Sequence, residues 1–434
     1  MIYASKSSTL LATTEEKLAL SLREGRNLKP VEDFVKERFS EYYRKNSRNV
    51  EPPPSIEKRE FGFILLKERM MVRHKSFRTS QELARFLENT APSDAYHSTA
   101  YYSRPEETME NKGWLGADLC FDIDADHIPT PCKRIHDRWI CKDCGATDVG
   151  SPPDICPKCQ KERIDEETWL CEQCLDKAKT EAMKLVDMLE GDFGLSKNDM
   201  NAFFSGHRGY HLHVRADEVR QLNDTERKEI VDYVLGLGLN PDLHRLREGT
   251  SKSMNFQVGD ISDLGWRSRL ARGLFEIMSN SNERELADLG LKKRVIKDIL
   301  GTREQVSKEQ FATTIRNTFY TIGSKTWKKI AERSSAKIDT VVTTDIHRLI
   351  RLSGTLNGRT GLKVVNASVA DLERFDPFKE AVALVGEDTV YIKEAPQFRL
   401  GEEVFGPFQK EKRTLPRAAA ILLVCKGKAV PVIS

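Results

Sequence analysis

Seven of the nine cysteines in this 434-residue chain fall between Cys132 and Cys174, and this clustering strongly constrains the fold. Structural disulfides are rare in intracellular proteins outside some hyperthermophiles. The N-terminus has no secretory signal pattern, because the apolar stretch at Leu10–Ala12 is short and acidic residues follow it closely. The cysteine cluster therefore indicates a segment that folds around metal.

Within this segment, two Cys-x-x-Cys pairs have the spacing of a zinc ribbon. Cys141 and Cys144 form the first pair, Cys156 and Cys159 form the second, and eleven residues separate them. Four thiolates on two such turns suit tetrahedral Zn²⁺. The pairs predict a structural zinc site, since four protein ligands leave no position for a reacting water.

A third pair, Cys171 and Cys174, precedes a long helical pattern and needs two further ligands. Cys132 and His136 lie upstream and would complete a Cys3His zinc site. In a rival arrangement the third pair joins one of the other two pairs and leaves two cysteines free. The spacing alone leaves both arrangements open.

Charge and hydrophobicity describe a globular protein with a highly charged surface. The chain carries 69 basic and 66 acidic residues, a formal net charge of +3, and 39% hydrophobic residues. This near balance argues against a protein that coats nucleic acid indiscriminately, yet it permits one basic groove beside an acidic site. No stretch reaches the roughly 20 apolar residues of a membrane-spanning helix. We therefore expect a cytoplasmic protein.

The segment Trp114–Asp126 predicts a strand that ends in acidic residues. Alternation in a strand places Asp122 and Asp124 on one face, while Ile123 points to the other. Adjacent carboxylates repel each other unless a cation lies between them, and Mg²⁺ and Mn²⁺ prefer such oxygen ligands. A solvated strand end is the plainer alternative, but the apolar run before the acids favours a metal site.

The segment Ser205–His211 predicts a glycine turn between two strands. Its glycines allow the backbone to approach a ligand closely. Ser205, Arg208 and His211 offer a hydroxyl, a bidentate cation and an imidazole, which together suit a triphosphate. Considered alone, the pattern is explained better by an ordinary hairpin with exposed polar residues.

A third region of interest runs from residue 339 to residue 364. Asp345 follows an apolar segment, Thr340–Val342, that predicts a strand, and it could complete a carboxylate triad with Asp122 and Asp124. Four cations surround two glycine-containing turns, so the region is a candidate clamp for phosphates and template. A solvated basic surface is the alternative for any one of them. These cations are Arg348, Arg351, Arg359 and Lys363.

Taken together and in order, these motifs resemble the catalytic small subunit of archaeal and eukaryotic DNA primases. The similarity covers most of the chain between Arg59 and Val364. The joint occurrence of the motifs is far more specific than any one of them, and it implies synthesis of short RNA or DNA primers on single-stranded template by two-metal nucleotidyl transfer. The motifs are REFGF…MVRHKSF, FDIDADH, CEQCLDKA, SGHRGYH and VTTDIHRLIRLSGTLNGRTGL.

The resemblance also implies roles for individual residues. Asp122, Asp124 and Asp345 resemble the catalytic carboxylates, which bind Mg²⁺ or Mn²⁺, and the pair Cys171 and Cys174 resembles the family's zinc knuckle. Positions that hold the incoming triphosphate are matched by Ser205, Arg208, His211 and Arg351, and positions that hold nucleotide during initiation are matched by Glu60 and Arg73.

Two positions depart from the family's SLHGKTGL segment. Asn357 replaces a frequent histidine, so it can donate a hydrogen bond to a triphosphate but cannot carry charge. Arg359 replaces lysine and keeps the charge. The double ribbon between Cys141 and Cys159 looks like an insertion beyond the minimal family zinc site.

The implied fold is of the mixed α/β (α+β) class. It has a catalytic core of antiparallel sheets with helices, into which a zinc module and a helical segment are inserted. We expect an N-terminal helical segment and linker at residues 1–56 and a catalytic domain at 57–434. The expected parts of that domain are a zinc-binding insertion at 132–174, a mainly helical insertion at 217–337 and a C-terminal α/β region at 371–434, which the motifs do not cover.

The resemblance implies single-stranded DNA template, nucleoside triphosphates and a large subunit as partners, in a heterodimer without a membrane association. The location would be the cytoplasm, at replication forks on the nucleoid. A repair or translesion polymerase of the same superfamily is one alternative, which would not start strands de novo. A non-catalytic zinc-ribbon protein that binds nucleic acid is another, and it would be indifferent to loss of Asp122.

Overall fold

The computed structural model describes residues 28–66, 70–240, 246–248, 255–257, 261–303 and 324–432. All strand pairs are antiparallel and helices surround them, which confirms the expected mixed class. The helices are α1 (Leu28–Asn46), α2 (Ser80–Thr90), α3 (Lys133–His136), α4 (Glu172–Gly191), α5 (Asp217–Arg220), α6 (Asp224–Leu235), α7 (Gly265–Asn280), α8 (Glu283–Asp288), α9 (Lys293–Thr302), α10 (Ser324–Ser334), α11 (Thr340–Thr344), α12 (Pro377–Glu380) and α13 (Arg417–Cys425).

The strands form several small sheets, of which two carry the site. They are β1 (Phe61–Ile64), β2 (Met71–Lys75), β3 (Asp94–Ser98), β4 (Ala100–Tyr102), β5 (Trp114–Ala117), β6 (Leu119–Asp124), β7 (Arg138–Cys141), β8 (Thr147–Val149), β9 (Ile164–Glu167), β10 (Met200–Phe204), β11 (Gly209–Val214), β12 (Leu246–Glu248), β13 (Asn255–Gln257), β14 (Leu349–Arg351), β15 (Val365–Asn366), β16 (Glu387–Ala395), β17 (Phe398–Leu400), β18 (Glu403–Phe405), β19 (Phe408–Pro416) and β20 (Ala429–Pro431).

Two four-stranded sheets form the catalytic core. The first has the strand order β14-β3-β1-β2 and the second has the order β15-β10-β11-β6. The rings of His97 in β3 and His213 in β11 lie 5.9 Å apart, so these two strands approach each other across a shared cleft. The apolar, aromatic and β-branched residues between Arg59 and Phe77 predict two strands joined by a charged turn at Lys67–Arg69. The two strands are present as β1 and β2, whereas the turn lies outside the described residues.

Helix α4 covers the other face of the second sheet. Apolar residues recur along it at intervals of three and four, which gives one continuous apolar stripe. That stripe packs against β6 and β11, whose alternate residues Phe121, Ile123, Tyr210 and Leu212 are buried. The sequence predicts that glycines end this helix, and Gly191 is its last residue, with Gly194 just beyond. The buried stripe consists of Leu175, Ala178, Ala182, Leu185 and Leu189.

The corner between β5 and β6 is held by a buried ion pair. Nη2 of Arg59 lies 2.7 Å from Oδ2 of Asp118, and both side chains are almost completely buried. The hydroxyl of Tyr101 donates to the second oxygen of Asp118 at 2.8 Å, and the guanidinium of Arg59 lies 3.6 Å from the Tyr101 ring centroid. This cluster fixes the start of β6 against the first sheet.

Ion pairs connect the N-terminal helix to the C-terminal sheet. Nη2 of Arg38 in α1 lies 2.8 Å from Oδ1 of Asp388, and Nε of Arg417 lies 3.0 Å from its Oδ2. Arg417 also pairs with Glu41 of α1 at 2.6 Å. The amphipathic period of the sequence predicts a helix over Leu28–Asn46, which is α1, and this network anchors its polar side.

The apolar run Ala418–Cys425 predicts a buried strand from its sequence, but the structure forms helix α13 there. Every side chain from Ala418 to Val424 is buried, so the run has no polar face to reveal a period of 3.6. The helix packs on the sheet β19-β16-β20 and on α1. No helix among the described residues combines the length and apolar character that a membrane span needs.

The segment 217–337 is mainly helical where it is described. It contains α5 to α10, and α7 packs on α10. Strands β12 and β13 form a small hairpin within it that the sequence did not predict. Part of this segment, including residues 304–323, lies outside the described residues.

The cysteine-rich segment forms two clusters on a three-stranded ribbon, β8-β7-β9, and the elements that flank it. Within each cluster the four ligand atoms lie within 4.8 Å of one another, so both could hold zinc. The grouping follows the first of the two arrangements left open by the sequence. One cluster is Cys141, Cys144, Cys156 and Cys159, and the other is Cys132, His136, Cys171 and Cys174.

We expect the purified chain to bind one zinc ion in each of these two clusters. Replacing Cys156 and Cys159 with serine should remove the ribbon ion and leave the Cys3His ion in place. Metal analysis by inductively coupled plasma mass spectrometry would measure the number of ions per chain. Simultaneous loss of both ions would contradict two independent sites.

Candidate active site

Strand β6 presents its two carboxylates on one face of the second sheet. Asp122 lies directly across from His211 of β11, and Asp124 lies across from Gly209. Ile123 points to the opposite face and is fully buried in the core. The alternation expected from the sequence is observed, and it leaves both carboxylates partly exposed on the face that carries His211.

The glycines of the turn between β10 and β11 are required by packing. A Cβ atom at Gly209 would lie 2.4 Å from the carbonyl oxygen of Ile123, which is too close for any side chain. Gly206 has a φ angle of 76°, in the left-handed region that favours glycine. The glycine pattern therefore reflects the close approach of this turn to β6.

The structure brings Asp339, rather than Asp345, next to Asp122. The N–H of Asp339 donates to the carbonyl oxygen of Asp122 at 2.8 Å, and the two residues form an isolated β-bridge. The carboxylate of Asp345 instead accepts a hydrogen bond from the N–H of His347 at 2.9 Å. Asp339 is therefore the third carboxylate of this face, a position that the sequence motifs assigned to Asp345.

The expectation of a strand at Thr340–Val342 was wrong, because residues Thr340–Thr344 form α11. Asp339 caps the helix by accepting a hydrogen bond from the N–H of Val341 at 2.9 Å, and Asp345 lies at the other end. Buried packing against α6 and β6 outweighs the low helix propensity of the β-branched residues. An aspartate directly before a short apolar run is an N-cap signal that could have identified Asp339.

Each carboxylate on this face makes the ionised form of its neighbours less favourable. Burial and then the carboxylate of Asp339 raise the pKa of Asp122 to about 6. Burial and then Asp126 raise the pKa of Asp124 to about 6. Within the described residues, neither Asp122 nor Asp124 forms an ion pair with a lysine or arginine. This donor set fits a divalent cation, which would remove the repulsion and binds carboxylate oxygens readily.

His211 contributes a neutral imidazole beside these acids. Its Nε2 lies 3.5 Å from Oδ1 of Asp122. Burial and then the charges of Arg351 and Arg348 lower the pKa of His211 to about 3, so the ring is uncharged at neutral pH. Its Nδ1 is a buried atom without a hydrogen-bond partner among the described residues. An orphaned polar atom of this kind fits a site that takes a polar ligand.

Arg208 lies inside the protein, where it joins two acids. Its Nη1 lies 2.8 Å from Oδ1 of Asp126, and its Nη2 donates to Oδ2 of Asp137 at 2.9 Å. The side chain is completely buried. In this arrangement the guanidinium connects the end of β6 to the zinc module, instead of facing a triphosphate as the sequence analysis expected.

Asp137 continues this connection to the Cys3His cluster. Its Oδ1 lies 2.7 Å from Nδ1 of His136, whose Nε2 lies 3.7 Å from Sγ of Cys174. Nη2 of Arg208 also lies 3.6 Å from that sulfur. A carboxylate that contacts the ring nitrogen opposite the metal-binding one holds the imidazole in the orientation needed to bind metal. The sequence motifs gave no signal for Asp137.

Asn357 is fully buried and is used within the protein. Its amide donates to the carbonyl oxygen of Ser205 at 3.0 Å, and its side-chain oxygen accepts from the N–H of Arg359 at 2.9 Å. The hydroxyl of Thr360 donates to the carbonyl oxygen of Gly206. Asn357 thus joins its own turn to the turn between β10 and β11 by hydrogen bonds, whereas the sequence predicted that it faces a ligand.

Arg351, in β14, is held by Asp94 and lies over the ring of Tyr96, whose centroid is 5.2 Å from the guanidinium carbon. Its charge adds to the effect of burial in lowering the pKa of His211. It also opposes burial and Asp339, which together raise the pKa of Asp122. Arg351 therefore acts electrostatically on the acidic face while Asp94 fixes its position.

Glu60 and Arg73 form an ion pair in the first sheet. Oε1 of Glu60 lies 3.1 Å from Nε of Arg73, and Glu60 is fully buried whereas the Arg73 side chain is 38% exposed. The ammonium of Lys112, also fully buried, lies 3.5 Å from the second oxygen of Glu60. Of this trio only Arg73 is accessible to a ligand, and the motifs did not indicate Lys112.

Ser205 and Arg359 lie on the two turns that Asn357 joins. The hydroxyl of Ser205 is buried and accepts a hydrogen bond from the N–H of His207 at 3.3 Å. The side chain of Arg359 is exposed and lines a cleft together with His207 and Lys426. The turns therefore have one face towards the acids and one towards this cleft.

We expect Arg208→Met to lower the free energy of unfolding by about 3–5 kcal/mol, because it leaves the acids at positions 126 and 137 without their shared cation. The variant should also lose zinc from the Cys3His cluster more readily. Thermal unfolding and the rate of zinc release to a chelator would measure the two effects. Arg138→Met, which breaks a half-exposed pair with Glu394, is the matched control and should change stability by less than about 1 kcal/mol. Equal effects of the two variants would contradict this account of Arg208.

Comparison with known proteins agrees with this geometry. The family model described as DNA primase small subunit matches residues 121–367. The chain is 30% identical over 397 residues to the DNA primase small subunit PriS of Nitrosopumilus maritimus, with 91% of this chain and 97% of that protein covered. It is 34% identical over 404 residues to the corresponding protein of Archaeoglobus fulgidus, with the same shares covered.

The match of the family model contains the part of β6 that carries Asp122 and Asp124, the turn between β10 and β11, and Asp339. The similarity covers nearly the whole length of these relatives. The DNA primase small subunit PriS of Cenarchaeum symbiosum, for example, is 33% identical over 400 residues, with 97% of that protein covered. The likeness therefore extends well beyond a shared motif. The chain belongs to the DNA primase small subunit family.

Proposed function

We propose that this chain is the catalytic subunit of a DNA primase, a nucleotidyltransferase that joins nucleoside triphosphates into short primers on single-stranded DNA. The observation that carries the proposal is the group of carboxylates from Asp122, Asp124 and Asp339, which meet beside a neutral histidine and lack arginine or lysine partners among the described residues. Such a group is suited to divalent cations and unsuited to direct contact with phosphate.

The three carboxylates would hold Mg²⁺ or Mn²⁺. The bound ions would supply charge stabilisation around the phosphate under attack and favour ionisation of the primer hydroxyl. The protein's own part is to fix the carboxylates: β6 aligns Asp122 and Asp124, and the bridge between Asp339 and Asp122 fixes the third. Pre-set geometry of this kind lowers the reorganisation needed at the moment of reaction.

The incoming triphosphate would be held by residues around the same face. Ser205 offers a hydroxyl, His211 an uncharged ring, and Arg351 a cation whose position Asp94 fixes. Arg208 and Asn357 would act indirectly, because their side chains position the turn that carries Ser205 and His211. This division separates residues that contact phosphate from residues that support them.

The pair Glu60 and Arg73 would hold nucleotide at initiation. Glu60 is buried between Arg73 and Lys112, so it orients the exposed guanidinium rather than contacting the ligand itself.

Other expectations also belong to the proposal: a heterodimer with a large subunit, action as a DNA-directed RNA polymerase at replication forks in the cytoplasm, and the division into the segments given above. The sequence family is their support.

We expect Asp122→Asn and Asp339→Asn each to lower primer synthesis by about 100-fold or more, because each removes a cation ligand. Asp345→Asn, the matched control at the other end of α11, should retain synthesis within about threefold, since Asp339 and not Asp345 is bridged to Asp122. The assay is incorporation of labelled nucleotides on unprimed single-stranded template with Mg²⁺ or Mn²⁺. If Asp345→Asn lowers primer synthesis as severely as Asp122→Asn does, Asp345 and not Asp339 is the third cation ligand.

We expect Arg73→Met to lower synthesis on unprimed template by about tenfold or more, since a charge-assisted hydrogen bond to nucleotide is lost. Extension of an annealed primer should change far less. Arg78→Met, an exposed cation close by in the chain, is the control. Wild-type protein that extends primers but makes none, with a large subunit present, would favour the repair-polymerase alternative over a primase.

A further inference from the structure

One face of the first sheet is lined by side chains from both of its edge strands. A Cβ atom at Gly62 of β1 would lie 2.9 Å from Cδ1 of Leu349 and 3.4 Å from Cε of Met71, so β14 and β2 both cover this face. Alternation places Arg351 and Arg73, each two residues further along its strand, on the same face. Arg351 thus bounds the face at the edge strand β14, and Arg73 bounds it at the opposite edge strand.

A chain of buried contacts leads from Arg73 across the end of this face. Arg73 pairs with Glu60, whose second oxygen lies 3.5 Å from the ammonium of Lys112. The same ammonium lies 5.1 Å from the ring centroid of Tyr102, and the Tyr102 hydroxyl lies 2.9 Å from Nδ1 of His347. The three middle residues are almost completely buried, whereas the two end residues are accessible. A single buried network therefore holds two polar groups that a ligand can reach.

The contact with Tyr102 sets the orientation and the tautomer of His347. The two rings are stacked, with centroids 6.0 Å apart and an angle of 7° between their planes. Burial and then the carboxylate of Glu60 raise the pKa of Tyr102, so its hydroxyl keeps its proton. Nδ1 of His347 is the acceptor that this hydroxyl reaches among the described residues, which places the ring hydrogen on Nε2. Nε2 has no partner in the described part of the chain, so it is free to donate to a ligand.

His347 also lies close to the acids along the chain. Helix α11 begins after Asp339, which is bridged to Asp122, and its five residues span about 8 Å at 1.5 Å per residue. Asp345 follows the helix, and its carboxylate accepts a hydrogen bond from the N–H of His347 at 2.9 Å. One end of the network is thus held near the acids. The other end, Arg73, lies in the strand that is three strand spacings of about 4.8 Å from β14.

We propose that His347 donates its Nε2–H to a sugar oxygen of the initiating nucleotide, the molecule whose phosphates Arg73 contacts. This inference rests on the proposed function and adds a second contact to its initiation step. The 3′-hydroxyl of that nucleotide must reach the carboxylates while its phosphates extend towards Arg73, so its sugar lies at the end of the network that His347 occupies. Tyr102 is a positioning residue, because it acts only through the ring of His347.

The test is dinucleotide synthesis on an unprimed template that specifies GTP first and ATP second, with each nucleotide varied while the other is saturating. We expect His347→Ala to raise the KM for GTP by about fivefold or more, because one hydrogen bond to that nucleotide is lost. The KM for ATP should stay within about twofold. His347→Gln keeps a side-chain N–H donor and should restore most of the affinity for GTP.

Tyr102→Phe keeps the aromatic ring but removes the hydroxyl, so it should raise the KM for GTP by a smaller factor. Tyr391→Phe, which removes a hydroxyl from β16 in the C-terminal sheet, is the matched control and should leave both KM values unchanged. Thermal unfolding of each variant should be as cooperative as that of the wild type. If His347→Ala does not fold, the KM for GTP in Tyr102→Phe decides the question, and no change there overturns the proposal.

An unchanged KM for GTP in a folded His347→Ala would overturn the proposal. Equal increases in the two KM values would also overturn it, because they indicate a merely structural role. Either result, obtained with wild-type protein that makes primers, leaves the primase function intact. Wild-type protein that extends an annealed primer but starts none, with a large subunit present, would refute initiation and this contact together.

Discussion

The buried guanidinium of Arg208 is the interaction on which the rest of the site depends. It lies between Asp126, just beyond the catalytic strand, and Asp137, which in turn contacts the histidine of the Cys3His cluster. Removing such a charge from water is costly unless hydrogen-bonded partners surround it, so the three groups must be placed together. The zinc module is thereby fixed relative to the carboxylates of β6, and the Cys3His cluster outside the strand supports the geometry of the acids.

Residues whose roles depend on local pattern were predictable from the sequence. Strand alternation places Asp122 and Asp124 on one face, and the structure has them there. The cysteine spacing defined the ribbon cluster, since a Cys-x-x-Cys turn positions both thiolates by itself. Helices α1 and α4 followed from their apolar periods. In each case the information lies within a few residues of the feature that it determines.

Residues whose roles depend on long-range packing were not predictable. Asp339 and Asp345 are both acids beside an apolar run, and only the helical turn between them decides which lies next to Asp122. The charge of Arg208 suggested a phosphate contact, but burial between two distant acids gave it another role. The run Ala418–Cys425 is buried on all sides, so its pattern carries no period that separates a helix from a strand.

The position of α13 has a consequence for the order of events during translation. Its Ile421 packs so closely against Gly361 that a Cβ atom there would lie 2.5 Å from the isoleucine side chain, and α13 also packs on α1. The glycine turns that adjoin the acids are thus backed by a helix that leaves the ribosome among the last parts of the described chain. A nascent chain that already contains every carboxylate still lacks this support. Assembly of the complete catalytic cleft therefore waits for a helix that is made after the last of the three carboxylates.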